Sequence, residues 1–202
     1  MFSILGLGGL SEQTLDYLRG YKKTRLVRIG NAATGHVQLD IYGELMDSIY
    51  LFNKHGRPIT YNQWVNIRHL INYVSTVWAE PDMSIWEIRG RKKTFVYSKQ
   101  LLWVAFDRAL RLADKHCLPC LERHRWLEIR DTIYEQVMCR GYNHYLGCFL
   151  QSYDLFDVLD AAVLVAPLVF FTSPNDPRSL GALDRIHLSP KKRMPNVIWA
   201  SI

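Results

Sequence analysis

The chain has 202 residues, of which 49% are hydrophobic and 22% charged, a composition typical of a folded globular protein and not of a disordered one. The formal net charge is +6, but the basic residues form short runs without interleaved aromatics, so we expect no nucleic acid and no membrane surface as a partner. The four cysteines are too few in a chain of this size to indicate a disulfide scaffold.

The first residues do not have the features of a targeting signal. Residues 1–10 are apolar and rich in glycine, with no basic segment ahead of them, so no cleaved secretory signal is predicted. The longest uncharged apolar run covers residues 161–171 and contains Pro167, which makes it too short to span a bilayer. From these features we expect a cytoplasmic protein.

Two amphipathic helices are predicted in the first half of the chain. In residues 37–54 the apolar side chains recur at helical spacing along one stripe. This stripe comprises Val37, Ile41, Leu45, Ile49 and Phe52. Thr60 is a typical N-cap and Gln63 follows three residues later, which is the pattern of a capping box. A second helix should therefore begin after Thr60, and the Glu-Pro-Asp sequence at 80–82 should end it.

The middle of the chain combines an irregular segment with two more helices. Residues 79–96 lack helical periodicity, and 94–97 are predicted as a short strand. Apolar periodicity returns at 98–115 and again at 122–139, and each of these segments is predicted as a helix.

The last third is predicted to contain one buried helix. Residues 142–153 form a loop with scattered aromatic residues, and 155–171 are apolar on nearly every helical face. A helix with that pattern should be buried all round, and residues 173–177 should end it. Helices joined by loops, without strand alternation, predict an all-α fold of antiparallel hairpins.

Glu87 is the first candidate for a catalytic residue. It lies between Trp86 and Arg89 in a segment flanked by proline and glycine. A carboxylate packed against an indole ring loses solvation, which raises its pKa toward the range that a general acid needs near neutral pH. The segment therefore points to acid catalysis on an uncharged, hydroxyl-rich substrate, whereas a surface position in a loop is the alternative interpretation.

Three acidic residues share one face of the first predicted helix. Asp40, Glu44 and Asp47 are spaced by four and three residues, so they lie on the same face and repel one another. The pattern favours a solvated helix face. The alternative interpretation is the polar wall of a cavity that binds sugar hydroxyls.

Three further positions could belong to the same cavity. Asp160 interrupts an apolar segment, and a buried aspartate requires hydrogen-bond partners. Tyr97 and Lys99 follow the irregular segment and could line a pocket with Glu87. The tryptophans at 64, 103 and 126 are predicted to be core residues.

Cys117 and Cys120 with His124 resemble part of a zinc site. No second pair with ligand spacing is present, so free cysteines near a turn between helices are predicted and no metal is expected.

Taken together, several motifs resemble glycoside hydrolase family 15, the glucoamylase and trehalase-like enzymes. The motifs run in family order from about residue 10 to about residue 185. They are VRIGNAA (27–33), QLDIYGEL (38–45), EPD (80–82), IWEIRG (85–90), YSK (97–99), WVAFDRA (103–109), FLQSY (149–153) and LDA (159–161).

The resemblance implies about half of an (α/α)6 barrel, with residues 1–186 as a partial glycosidase domain and 187–202 as a divergent tail. It implies inverting hydrolysis of α-glucosidic bonds in an oligosaccharide or disaccharide, without a cofactor. Glu87 matches the general acid of the family. The remaining site residues that the resemblance and the sequence pattern suggest for sugar binding are Trp86, Arg89, Arg28, Asn31, Asp40, Glu44, Tyr97, Lys99 and Asp160.

An inverting glycosidase needs a second carboxylate as base, and none of Glu12, Glu122 and Glu128 lies in a matching motif. We therefore expect these 202 residues to be inactive alone and to self-associate through exposed apolar helix faces such as that of 155–171. The alternative is a non-catalytic helical scaffold that binds sugar or a protein partner.

Overall fold

The structure is a computed structural model that describes residues 11–23, 25, 27–30, 36–86 and 90–188. It divides into two compact units, Met1–Val37 and Gln38–Ile202. In the described part of the first unit, β1 (Gln13–Thr14) pairs antiparallel with β2 (Arg28–Ile29), and Gln13 lies opposite Ile29. A short 3-10 helix at Tyr21–Lys23 lies between these strands in the chain.

The second unit is built on two helical hairpins. The first consists of α1 (Ile41–His55) and α2 (Tyr61–Val77), and the second of α3 (Val96–Lys115) and α4 (Arg123–Arg140). The prediction for the start of α2 is confirmed, because the Thr60 side chain accepts from the Gln63 N–H and the Gln63 side chain accepts from the Thr60 N–H. The all-α fold of hairpins is confirmed for the described residues.

Helix α3 is the centre of this unit. Every residue from Val96 to Leu110 is buried, and the helix contacts α1, α2 and α4. The three tryptophans predicted for the core are buried, which confirms that prediction. Trp64 and Trp126 meet edge to face with ring centroids 6.2 Å apart, and Trp103 meets Phe171 in the same way at 5.1 Å.

Helices α1 and α3 pack closely and run in the same direction. A Cβ on Gly43 would lie 2.1 Å from the Leu101 carbonyl oxygen, so only glycine permits this approach. Further along both helices, Asp47 meets Arg108 at 2.7 Å. The first turns of α1 and α3 therefore lie side by side at one end of the second unit.

The charged interior of α3 is compensated by hydrogen bonds. The guanidinium of Arg108 donates to Asp47 at 2.7 Å, to Asp107 at 2.6 Å and to the Val169 carbonyl at 2.9 Å. A buried charge is tolerated only when it is paired in this way.

The predicted fifth helix at 155–171 is wrong. The structure has only a 3-10 helix at Ala161–Val165. Asp160 is extended, with φ −137° and ψ 127°, and its side chain accepts from the Ala162 N–H. Pro167 lacks a donor and Phe170 has a φ of +62°. The segment is not buried all round either, since Leu168 is 78% exposed.

Two secondary-structure elements in the last third of the chain were not predicted from the sequence. Residues 142–149 form a small antiparallel hairpin of β3 (Tyr142–Asn143) and β4 (Cys148–Phe149). Helix α5 (Pro177–Leu188) follows Asp176, whose carboxylate accepts from the Arg178 N–H at 2.9 Å. An aspartate followed by proline is a helix-start signal, and here that signal was present in the sequence.

Two further expectations need correction. The predicted apolar stripe of α1 faces outward, with Ile41 55%, Leu45 46% and Phe52 58% exposed. The opposite face packs on α3, where Asp47 finds its partner. The predicted strand at 94–97 is reduced to one bridge between Phe95 and Ser152, because α3 already begins at Val96.

Within the described ranges, no helix combines the length and the apolar character needed to cross a bilayer. The half-barrel and the domain boundaries at 186 and 187 stay predictions.

Candidate active site

The candidate site lies where the first turns of α1 and α3 meet residues 80–86 and 90–95 and the loop at 150–160. Asp82 links residues 80–86 to the residues directly before α1. It is 1% exposed, and its carboxylate accepts from the Leu39 N–H at 3.0 Å. The Asp82 backbone also pairs with Lys93 in an antiparallel bridge. Burial raises the pKa of Asp82, while its hydrogen bonds and the charge of Lys99 oppose the rise.

Tyr97 forms the centre of a group of acidic side chains. Its hydroxyl donates to Oε1 of Glu44 at 2.9 Å. Burial raises the pKa of Tyr97 strongly, and the hydrogen bond to Glu44 and the charges of Glu44, Asp40 and Asp160 add to the rise. We call Asp40, Glu44, Asp82 and Asp160 the acidic cluster.

Asp40 is a buried carboxylate of the acidic cluster whose pKa is raised by its surroundings. It caps α1, its side chain accepts from the Ile41 N–H at 3.1 Å, and it is 3% exposed. Burial, together with the nearby charges of Asp82 and Glu44, raises its pKa from 3.8 to about 6. Carboxylates with raised pKa values cluster at functional sites more often than elsewhere.

Trp86 connects residues 80–86 with the loop at 150–160. Its indole N–H donates to both carboxylate oxygens of Asp160, at 2.9 and 3.0 Å. Asp160 is 1% exposed and also accepts from the Ala162 N–H. The predicted need of Asp160 for hydrogen-bond partners is thus confirmed, and its partner holds the residue directly before Glu87 in place.

Lys99 lies beneath the site, at the end of α2. Its ammonium group donates to the carbonyl of Trp78 and, at 3.1 Å, to the carbonyl of Glu80. Burial lowers the pKa of Lys99 to about 8, although Asp82 and Glu80 oppose the change. These bonds fix the start of the loop that carries Trp86, so the structure gives Lys99 a positioning contact.

The structure also decides between the two interpretations of the acidic face of α1. Asp40 is buried, Glu44 is exposed but bonded to Tyr97, and Asp47 bonds to the buried Arg108. The favoured interpretation, a solvated face, is therefore wrong for Asp40 and Asp47. Asp47 lies farther along α1 and belongs to the packing of α3 and not to the acidic cluster.

Four predicted site residues are not among the described residues of the second unit. Glu87, Arg89 and Asn31 lie outside the described residues. Arg28 belongs to the first unit, where it forms an ion pair with Glu12.

The sequence pattern placed Asp82 in a helix stop and in the EPD family motif, but it was not predicted as a site residue. The structure shows that it is a central member of the acidic cluster. A polar residue between Pro81 and the buried Met83 was the available signal. The neighbouring Ser84 has a φ of +58°, and its carbonyl accepts from Nε2 of Gln38 at 3.1 Å.

No metal centre is found in the described part of the chain, where no group of three or more His, Cys, Asp or Glu side chains has ligand geometry. Cys117 is exposed and Cys120 half-buried, and His124 contacts Glu128 at 3.2 Å instead of the cysteines.

Comparison with known proteins identifies the family to which this arrangement belongs. The sequence profile of glycosyl hydrolases family 15 matches residues 10–197. The chain belongs to this family. Members of glycosyl hydrolases family 15 with curated descriptions are therefore the relevant relatives.

Three such relatives are described as trehalases. The trehalase of Thermoplasma acidophilum is 34% identical over 186 residues, which cover 92% of this chain and 32% of the relative. The Mycobacterium tuberculosis trehalase is 36% identical over 178 residues, which cover 88% of this chain and 26% of the relative. Trehalase 1 of Sulfolobus acidocaldarius is 35% identical over 188 residues, which cover 92% of this chain and 31% of the relative. The chain thus spans between about a quarter and a third of the length of these relatives. No solved structure matches it.

Proposed function

We propose that the chain provides the general-acid side of a glycoside hydrolase site that acts on α-linked glucosides. The observation that carries the proposal is the bond from the Trp86 indole to Asp160, since it places the residue before Glu87 beside the acidic cluster. Carboxylate and phenol groups at Glu44 and Tyr97 offer the hydrogen bonds that sugar hydroxyls require.

In the proposed reaction, Glu87 gives its proton to the glycosidic oxygen as the bond from that oxygen to the anomeric carbon breaks. Water then attacks the opposite face of the sugar and loses a proton to a second carboxylate, which in inverting enzymes lies about 6.5–9.5 Å from the acid. Trp86 would limit solvation of Glu87, and Arg89 would bind the sugar or neighbouring carboxylates.

None of Glu12, Glu122 and Glu128 is a candidate for the second carboxylate. Glu12 pairs with Arg28, Glu122 accepts from Asn72 at 3.1 Å and from Arg68 at 3.4 Å, and Glu128 contacts His124. Each of these carboxylates has a structural partner, which supports leaving them out of the mechanism. We therefore propose that the 202 residues alone do not hydrolyse glycosides at an enzyme-like rate.

The relatives' names suggest trehalose as the first substrate to test, with maltose as the comparison because glucoamylase-like members share the motifs. A cytoplasmic location and the division of the chain at residues 186 and 187 are part of the same proposal.

The test uses azide, which attacks the anomeric carbon without a base. With trehalose, the anomeric carbon would bond to azide, the glycosidic bond would break, and Glu87 would protonate the departing glucose. The expected product is glucosyl azide of inverted configuration, detected by proton NMR. Glu87→Gln should lower its formation by about 10²–10⁴-fold, whereas Glu135→Gln, an exposed position on α4, should not.

Equal azide product from Glu87→Gln and wild type, or none from wild type, would contradict the assignment of the acid. Rapid glucose release from trehalose by the purified monomer without azide would contradict the proposed absence of a base.

A second candidate function is a scaffold that binds a further copy of the chain. Helices α1 and α2 border an open groove of about 500 Å³, lined mainly by the apolar residues Leu45, Ile49, Phe52, Ile59, Ile67 and Leu70. Exposed apolar surface of this kind marks interaction sites. We propose a second copy as occupant because Leu168 and Phe170, 78% and 69% exposed, are apolar side chains that the same chain can contribute to such a groove. Sedimentation velocity should then show a dimer that Phe52→Ser and Leu168→Ser each weaken, and a strictly monomeric wild type would refute it.

A further inference from the structure

A second concave site lies outside the acidic cluster. The end of α4, the β3–β4 hairpin and the following loop enclose a cleft of about 430 Å³. We call it the aromatic cleft and define it by Arg140, Tyr142, His144, Tyr145, Tyr153 and Phe156. Its volume is within the range of small-molecule sites, about 300–1,000 Å³. None of these residues belongs to the acidic cluster.

Two of the rings are unusually exposed for aromatic side chains. Tyr145 is 93% and Phe156 80% exposed. Aromatic side chains of this size normally bury most of their surface. Exposed rings at the edge of a cleft are therefore available for contact with a ligand.

The backbone that carries these rings is fixed. Oδ1 of Asn143 accepts from the N–H groups of Tyr145 and Leu146 at 2.9 and 3.0 Å, and its amide donates to the Phe156 carbonyl at 2.8 Å. One side chain thus ties the hairpin turn to the loop opposite. A preformed arrangement lowers the entropy that binding must overcome.

Arg140 supplies a polar group to the cleft. Its guanidinium lies over the Tyr153 ring at 4.7 Å. A guanidinium carries N–H donors that suit the hydroxyl oxygens of a ligand.

Rings that offer flat apolar faces next to hydrogen-bonding groups suit a pyranose, which has both C–H faces and hydroxyl edges. We propose that the aromatic cleft is a second carbohydrate site that takes one glucosyl residue of an α-linked oligosaccharide. The choice of an α-glucoside rests on the proposed function. The loop that forms one wall continues into Asp160, so the cleft and the acidic cluster share a segment of chain.

The test is a titration of the chain with maltotriose, followed by amide chemical shifts. Tyr145→Ala and Phe156→Ala should each weaken binding at the cleft by about 2- to 10-fold, as expected for loss of one ring contact. Tyr61→Ala is the matched control, because Tyr61 is 58% exposed on α2 outside the cleft. Thermal melts of the variants should match wild type, since both ring substitutions are at exposed positions.

If Tyr145→Ala, Phe156→Ala and Tyr61→Ala all bind maltotriose like wild type, the cleft proposal is overturned. The variant Glu44→Gln tests the proposed function separately. It should abolish the maltotriose-induced amide shifts near α1 and retain those of the hairpin at 142–149. If maltotriose shifts the amide signals near α1 equally in wild type and Glu44→Gln, the proposed function alone is refuted. If maltotriose shifts no amide signal of the wild type, both proposals are refuted.

Discussion

Replacing Asp40 by Asn should stabilise the chain at neutral pH, although it removes a residue of the candidate site. Asp40 caps α1, and an Asn side chain keeps the oxygen that accepts from the Ile41 N–H at 3.1 Å. What the substitution removes is the buried negative charge near Asp82 and Glu44. Residues tuned for binding or catalysis often cost stability in this way.

The size of the effect follows from the pKa of Asp40, which rises from 3.8 to about 6 on folding. At about 1.36 kcal/mol per pKa unit, the ionised form destabilises the fold by roughly 3 kcal/mol. The helix dipole favours a charged cap by about 0.3–1 kcal/mol, so the net gain for Asp40→Asn should be roughly 2 kcal/mol.

The gain should depend on pH with a defined sign. Between 3.8 and about 6 the folded state binds the proton more tightly than the unfolded state, so stability falls as the pH rises through this window. The advantage of Asp40→Asn should therefore be small near the lower end and complete above about 6. Urea unfolding followed by tryptophan fluorescence, from about pH 4 to about pH 8, measures it. Asp131→Asn, at an exposed position on α4, is the control.

A difference between Asp40→Asn and wild type that stays constant with pH would refute the reasoning. So would a variant less stable than wild type at the upper end of the range.

Three further predictions concern the supports of the site. Gly43→Ala should destabilise the chain by at least about 1–3 kcal/mol in urea unfolding, because the new Cβ would lie 2.1 Å from the Leu101 carbonyl oxygen. The Lys99 ammonium should titrate near pH 8 by NMR of its side-chain carbon, because burial disfavours its charged form. Trp86→Phe should cost about 1.5–3 kcal/mol, since the buried Asp160 carboxylate loses its indole donor.

These three predictions fail in different ways. Unchanged stability of Gly43→Ala would show that α1 and α3 are farther apart than in the structure. A Lys99 midpoint above about 10, its ordinary range, would mean that the ammonium is solvated. Unchanged stability of Trp86→Phe, with Trp78→Phe as a comparison at another half-buried indole, would remove the link between the two loops.

Local chemistry was sufficient to predict the helical hairpins. The capping box at Thr60 and Gln63 defined the start of α2, and apolar spacing located α3 and α4 to within a few residues. These signals act within one or two turns, so a sequence displays them directly.

Long-range pairing was not predictable in the same way. The buried face of α1 includes Gly43 and Met46, and beside it Glu44 and Asp47 bond to Tyr97 and Arg108 of α3. Periodicity favoured the opposite, apolar face, because it does not reveal which polar groups will find partners across a packing interface.

Asp160 illustrates how a site can override a local pattern. The apolar run around Asp160 predicted a helix. Its carboxylate instead accepts hydrogen bonds from the Trp86 indole N–H and the Ala162 N–H, and the backbone at Asp160 is extended. The sequence indicated that Asp160 needs partners and did not indicate that meeting this need would end the helix.

The most direct test of the central claim is a titration of the chain with trehalose, followed by amide shifts of α1 and of residues 80–86. The account predicts weak, saturable binding that Glu44→Gln reduces and that Glu87→Gln retains, since Glu87 acts on the bond and Glu44 on sugar hydroxyls. Glu135→Gln should bind like wild type. Identical affinities for wild type and Glu44→Gln would contradict the claim that the acidic cluster binds the sugar.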